Sequence, residues 1–237
     1  MAVKGIQSAE RVLTALETLA EHQPIGVGAL ARVLGADKSA VQRALVTLAD
    51  AGWIRAVPGE PTRWELTSRV LVVANHVQLR SGLRQRVRPL LESLRDRTGE
   101  TAVLAVADGQ RVVIADVVES RHLVRTAPHI GMVVPTETSA TGQALLAASD
   151  DAARTALLGG PTPPALAAQL AAIAERGWSL NADDVAEGAT SVGVAIRDAA
   201  GMPVGAIAVS AVSSRMPPDD QQRLGELLVH QLGPVPS

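Results

Sequence analysis

The 237-residue chain has no cysteine, no tyrosine and no phenylalanine, and its only lysines are at positions 4 and 38. Without cysteine there is no disulfide, no thiolate metal site and no thiol nucleophile. No apolar run reaches the roughly 18 residues of a membrane span, and Gln7, Glu10 and Arg11 stand where a secretory signal would be greasy. A cytoplasmic protein with no membrane partner is therefore expected. The five histidines, His22, His76, His122, His129 and His230, are scattered, with no i, i+4 pair and no clustered carboxylates beside them, so neither a metal nor another cofactor is expected. A Gly-x-Ser-x-Gly elbow and a glycine-rich phosphate loop are also missing, which leaves an enzyme without support. Strong positive charge is lacking too: the net charge of -2 argues against a protein that coats nucleic acid non-specifically.

What is present is 47% hydrophobic residues, enough to pack one large or two modest domains. The most informative stretch runs from Gly26 to Gly52. Val27, Leu30, Ala31 and Leu34 recur at the spacing of one helix face, and Val41, Ala44, Leu45 and Leu48 do so again. Gly35 between them suits the left-handed residue that ends a helix, and Asp37 suits the cap that opens the next. The pattern predicts a helix-turn-helix. Its second helix turns Lys38, Ser39, Gln42, Arg43 and Thr47 outward, side chains that hydrogen-bond bases and phosphates in a DNA groove. A solvated pair of antiparallel helices would look similar, and the flanks decide between the two. Val12, Leu16, Leu19 and Ala20 supply an earlier helix starting near Ser8, and Trp53–Val57 and Thr62–Leu66 flank the breakers Pro58, Gly59 and Pro61 as a hairpin. Three helices and a hairpin make the winged form of the motif, with Arg63 on the wing beside phosphate.

Residues 67–81 read as a connecting helix through Val70, Leu71, Ala74, Val77 and Leu79. The basic run Arg80, Arg84, Arg86 and Arg88 follows, as a solvated face or one that approaches DNA backbone. From Thr101 the period changes to alternation. One hairpin turns at Asp108-Gly109-Gln110 and a second at residues 198–201, with a short strand near 122–126 and helices near 139–148 and 164–176 between them. Leu224, Leu227, Leu228 and Leu232 mark a closing helix. The whole is an α+β chain with a winged helix-turn-helix at residues 1–66, a linker helix at 67–81 and a second domain at 82–237.

Two features of that second domain bear on function. The later hairpin shows small residues on one face (Ala189, Ser191, Gly193, Ala195, Ala206, Ala208, Ser210) and Val192, Val194, Ile196, Ile207 and Val209 on the other. Small side chains either leave a cavity or let a helix pack closely. Thr136–Gln143 is rich in hydroxyl and small residues and opens an apolar helix, so it is either an ordinary cap at Thr138 or Ser139 or a terminus that receives a carboxylate or carbonyl.

Gly35–Arg43, Gly131–Pro135 running into Ala140–Ala147, and Glu175–Asn181 running through Gly188 to Ile196 together resemble the isocitrate lyase regulator (IclR) family of bacterial transcription factors over nearly the whole chain. The resemblance implies a linker helix used for dimerisation and a GAF-like effector-binding domain. Carried over residue by residue, it implies effector contacts at Leu123, Thr126, Val134, Ala140, Thr141, Asn181, Ala189, Ser191, Ala208 and Ser210. Family members often have an acidic residue at position 181 and a lysine at 143, where this chain has Asn181 and Gln143. The expected function is a regulator, a repressor rather than an activator, that binds double-stranded operator DNA as a homodimer or dimer of dimers. A small organic effector, a carboxylate among the candidates, would modulate it. The alternative is a winged-helix DNA-binding protein whose C-terminal domain serves only for oligomerisation.

Overall fold

The computed structural model describes residues 5–74 and 82–231. The chain divides into two compact units, Met1–Gln78 and Leu79–Ser237. The first contains α1 (Gln7–His22), α2 (Val27–Leu34), α3 (Lys38–Asp50), the two-stranded wing β1 (Ile54–Val57) and β2 (Arg63–Leu66), and α4 (Arg69–Ala74). Gly35, at φ 58°, ends α2, and Asp37 opens α3 by accepting from the amides of Ser39 and Ala40. The apolar stripes meet as expected, with Leu19, Leu30 and Leu45 fully buried among Ala15, Val41, Leu48 and Ile54. The wing pairs Ile54 with Leu66, and Trp64 exchanges backbone hydrogen bonds with Ile25 at 3.1 and 2.9 Å, tying the hairpin to the start of α2.

Only the first part of the expected linker helix lies within the described residues, as α4; residues 75–81, including Arg80, lie outside them. Arg69 anchors α4 by donating to Ala51 O at 2.7 Å and stacking over Trp53. Leu71, Val72 and Val73 that follow are 70, 60 and 48% exposed.

The second unit contains α5 (Leu83–Thr98), β3 (Thr101–Asp108), β4 (Arg111–Val118), β5 (Val133–Val134), α6 (Ala140–Ala148), α7 (Asp151–Leu158), α8 (Pro164–Arg176), β6 (Ser179–Ala182), β7 (Ala189–Arg197), β8 (Pro203–Val212) and α9 (Pro218–Gln231). Its six strands form one antiparallel sheet in the order β5-β4-β3-β8-β7-β6. Period-two alternation gives each face a different helix pair. Val192, Val194, Ile196, Ile207 and Val209 pack under Val87, Leu91 and Leu94 of α5 and under Leu224 and Leu228 of α9. The small-residue face carries Leu145 and Leu146 of α6 and Leu170 and Ile173 of α8. Leu232 of the expected closing helix falls outside the described residues.

The strand expected near residues 122–126 is not a strand. Side chains take over its backbone groups: Ser120 Oγ donates to Gly99 O and accepts from the amide of His122, Thr101 Oγ1 donates to Thr126 O, and Arg125 pairs with Glu119. A side-chain-held loop replaces a ladder there. The helix α7 and the edge strand β6 are additions that the sequence reading did not contain.

Glycine lets α6 lie on the sheet. A Cβ on Gly142 would collide with the carbonyl of Thr136, and one on Gly193 would stand 2.9 Å from Ala140 O. Ser179 Oγ lies 2.6 Å from Ala140 O and 3.0 Å from Gly193 O, sharing one proton between strand and helix. Because the obstacle at Gly142 is backbone, Gly142→Ala is expected to lower the unfolding free energy of this unit by about 2 kcal/mol. Gly28→Ala, whose methyl meets nothing within 4 Å, is expected to be neutral or stabilising. Urea unfolding followed by circular dichroism checks the pair, and equal stability of Gly142→Ala and the parent would contradict the close approach.

A candidate nucleic-acid interface and a ligand cavity

On α3 the buried stripe leaves Lys38, Ser39, Gln42, Arg43 and Thr47 exposed together, and Arg63 is exposed at the first position of β2. Three of these side chains are already engaged. Ser39 Oγ donates to Asp37 Oδ1 at 2.5 Å, Arg43 Nη1 donates to Ser39 Oγ at 3.3 Å, and Thr47 Oγ1 donates back to Arg43 O at 2.9 Å. A chain of hydrogen bonds therefore runs from the helix cap to the guanidinium. Val46, an apolar residue that the polar pattern left out, is 44% exposed on the same face.

Of the arginine run, Arg80 lies outside the described residues, Arg84 and Arg86 are exposed on α5 as a solvated face would have them, and Arg84 and Arg88 also reach a buried carboxylate. Arg88 Nη1 lies 2.9 Å and Arg84 Nη2 3.4 Å from Oδ1 of Asp116, which is 1% exposed. They clamp α5 to β4, and the signal that would have shown it, a lone carboxylate inside an apolar strand, sits 28 residues away from Arg88.

The second unit holds a cavity of about 410 Å³. It opens where α6 begins. Ser139 Oγ accepts from the amide of Gly142 and Ser139 O from that of Gln143, so helix geometry leaves the amides of Ala140 and Thr141 without intrahelical partners at the cavity wall. Below them, Ala189 and Ser191 of β7 and Ala208 and Ser210 of β8 form the floor, with Ser191 Oγ donating to Ser210 Oγ at 2.9 Å. Thr126 closes one side and donates to Ser210 O at 3.1 Å. Val134 adds an apolar wall, and Asn181 reaches in from β6 while donating to Thr138 O at 2.8 Å.

Nine of the ten residues carried over as effector contacts line this cavity. Leu123 does not: it is 94% exposed, because the loop that replaces the expected strand turns it away. Arg125, Met132 and the segment Val185–Gly188 also line the space. They belong to loops without periodicity, although Gly131-Met132 had stood out in the sequence. Met132 is brought in because its carbonyl accepts from Ile114 of β4 at 2.9 Å. Gln143, expected as a departure at this helix, is buried behind the wall; its Nε2 donates to Glu137 O, while its Oε1 has no partner.

Comparisons with known proteins agree across both units. The family model described as bacterial transcriptional regulator IclR C-terminal matches residues 76–231, and the IclR helix-turn-helix domain model matches residues 8–58. The chain is 29% identical over 238 residues to the transcriptional repressor IclR of Escherichia coli strain K12, covering 94% of this chain and 86% of that protein. It is 28% identical over 227 residues to the glycerol operon regulatory protein of Streptomyces griseus, covering 91% and 89%. The crystal structure of Thermotoga maritima IclR matches with a TM-score of 0.71 at 21% identity, covering 96% of each chain. That of an IclR family transcriptional regulator from Brucella abortus matches at 0.72 and 22% identity, covering 97% of this chain and 92% of that one. At those identities the two structures speak for the fold alone.

The cap of α3 carries a pH dependence. The Ser39 hydroxyl, followed by the amides of Ala40 and Ser39, holds the Asp37 carboxyl below the ordinary aspartate range. A carboxyl whose pKa is lowered on folding contributes stability above its unfolded pKa and loses it as the pH falls through the folded value. Asp37→Ala is therefore expected to melt at a lower temperature than the parent at neutral pH, with the gap closing in acid once Asp37 takes up its proton. A gap that persists unchanged in acid would show that the carboxylate is not what holds the helix start.

Proposed function

The chain belongs to the IclR family of bacterial transcriptional regulators, and we propose that it is a repressor whose hold on a palindromic operator is modulated by a small organic effector in the cavity of the second unit. That it is a DNA-binding regulator follows from the family; the sign of regulation and the effector are this proposal. The observation that carries it is the cavity. If the C-terminal unit served only for oligomerisation, its small-residue strands would be covered by packing, yet about 410 Å³ stays open over Ala189, Ser191, Ala208 and Ser210.

Operator binding is assigned to Lys38, Ser39, Gln42, Arg43 and Thr47 of α3, with Arg63 of the wing against phosphate. The winged unit is near charge balance, so one copy gains little from long-range attraction. Two linked copies gain through effective concentration. The exposed Leu71, Val72 and Val73 of α4 supply apolar surface for a second copy, which supports a homodimer or a dimer of dimers. An effector acts on such an assembly only if it binds one arrangement of the dimer more tightly than another.

Footprinting and gel shift on the DNA upstream of its own and neighbouring genes test the interface: Arg43→Ala is expected to cost roughly 1–3 kcal/mol of specific binding and to relax preference at one base position. Unchanged affinity and preference would misplace the recognition face. A thermal-shift screen of small organic compounds is expected to yield ligands that raise the melting temperature of the parent, since a binder of the native state must do so. The cavity-filling Ala208→Leu is expected to keep operator binding and lose that response. A parent that responds to no compound would favour the assembly-only reading.

A further inference from the structure

The charges around the cavity bear on what it accepts, given the effector reading above. Among the residues that line it, only Arg125 and Glu187 ionise. The charge of Arg125 is already balanced: its Nε and Nη2 donate to Glu119 Oε2 at 3.0 and 2.7 Å, and Glu119 stands outside the cavity lining. The one cation at the wall is thus matched by one carboxylate, and Glu187 leaves a second carboxylate in excess.

Other polar groups of the lining do not replace the missing cation. Asn181 directs its two amide N–H groups at Thr138 O, 2.8 Å away, and at Asp184 Oδ2, 3.4 Å away. Thr126 spends its hydroxyl proton on Ser210 O. The Ser191–Ser210 pair uses one of its two protons internally and keeps one to offer. Together with the first-turn amides of Ala140 and Thr141, that makes a donor set suited to a carbonyl or hydroxyl oxygen. Val103, Ile114, Met132, Val134 and Val212 enclose it with apolar surface, against which an unpaired ligand carboxylate would lose its hydration.

Size points the same way. Water occupies about 30 Å³ in the liquid, so the space of about 410 Å³ would leave a two- or three-carbon acid loosely surrounded. An apolar body of ring size fills it better.

We propose that the cavity takes an uncharged, apolar-bodied compound presenting a carbonyl or hydroxyl oxygen, and that Glu119 sets this preference over the corresponding carboxylate by occupying Arg125. Glu119 acts through Arg125 and touches no ligand; it is a specificity-determining neighbour. Because the pair is partly exposed, with side chains 35% and 54% accessible, removing the carboxylate frees the guanidinium without burying an unpaired charge.

The test is calorimetric titration of the full chain with matched amides and acids: benzamide and benzoate, phenylacetamide and phenylacetate, 2-naphthamide and 2-naphthoate. In the parent the amide of a bound pair is expected to bind about tenfold or more tighter than its acid, a difference of roughly 1.4 kcal/mol. Glu119→Gln is expected to shrink that preference to about threefold or less, as the loss of an exposed ion pair allows. Glu119→Gln with Arg125→Gln should bring the preference for the amide back. Parent-like melting of both variants excludes misfolding. An acid that binds the parent more tightly than its amide, or a preference untouched by Glu119→Gln, overturns the inference and leaves the effector site standing. Failure of the parent to bind any pair, or equal binding by Ala208→Leu, overturns the effector reading of the cavity and the inference with it.

Discussion

The close approach of α6 to the sheet is the constraint on which the second unit depends. It exists because Gly142 and Gly193 place no Cβ where backbone oxygens already stand, and because Ser179 bridges strand and helix through Ala140 O and Gly193 O. With a larger residue at either glycine the helix would ride higher and its first-turn amides would lift away from the strands. Small residues on one face of β7 and β8 then do two things along their length. Gly193, Ala195 and Ala206 lie under the helix or its packing partners. Beyond the helix start, Ala189, Ser191, Ala208 and Ser210 face open space. The two readings of that stripe, close packing and cavity, each hold for a different stretch of it.

The winged unit follows a different logic, in which local hydrogen bonds rather than bulk charge prepare the surface. Asp37 starts α3, orients Ser39, and through Ser39 restrains Arg43. A guanidinium held near one geometry loses less freedom on meeting a base edge. This suits a chain of net charge -2, which gains little DNA affinity from bulk charge and more from placement.

Much of this was legible in the sequence because it is periodic. Helical stripes in α1, α2 and α3, the alternation of β3, β4, β7 and β8, and the Gly35 and Asp37 punctuation each follow from local rules, and the structure keeps them. The small-residue face was legible because small and large residues alternate on one hairpin, although the alternation alone left cavity and close packing open. The path of the loop at 119–130 was not legible. That loop is fixed by partners far along the chain, Gly99, Thr101 and Ser210, so Leu123 is exposed instead of lining the cavity. The clamp of Arg84 and Arg88 on Asp116 is likewise tertiary, and a run of arginines on a helix does not disclose it.

The central claim is that the space between the start of α6 and the β7–β8 hairpin receives the effector. The most direct test is a crystal structure of the full chain grown with whichever amide binds it most tightly. The account predicts the ligand over Ala208, with its carbonyl oxygen at hydrogen-bonding distance from the amides of Ala140 or Thr141 and the Arg125–Glu119 pair intact. A ligand seated elsewhere on the chain, with this space left to solvent, would contradict it.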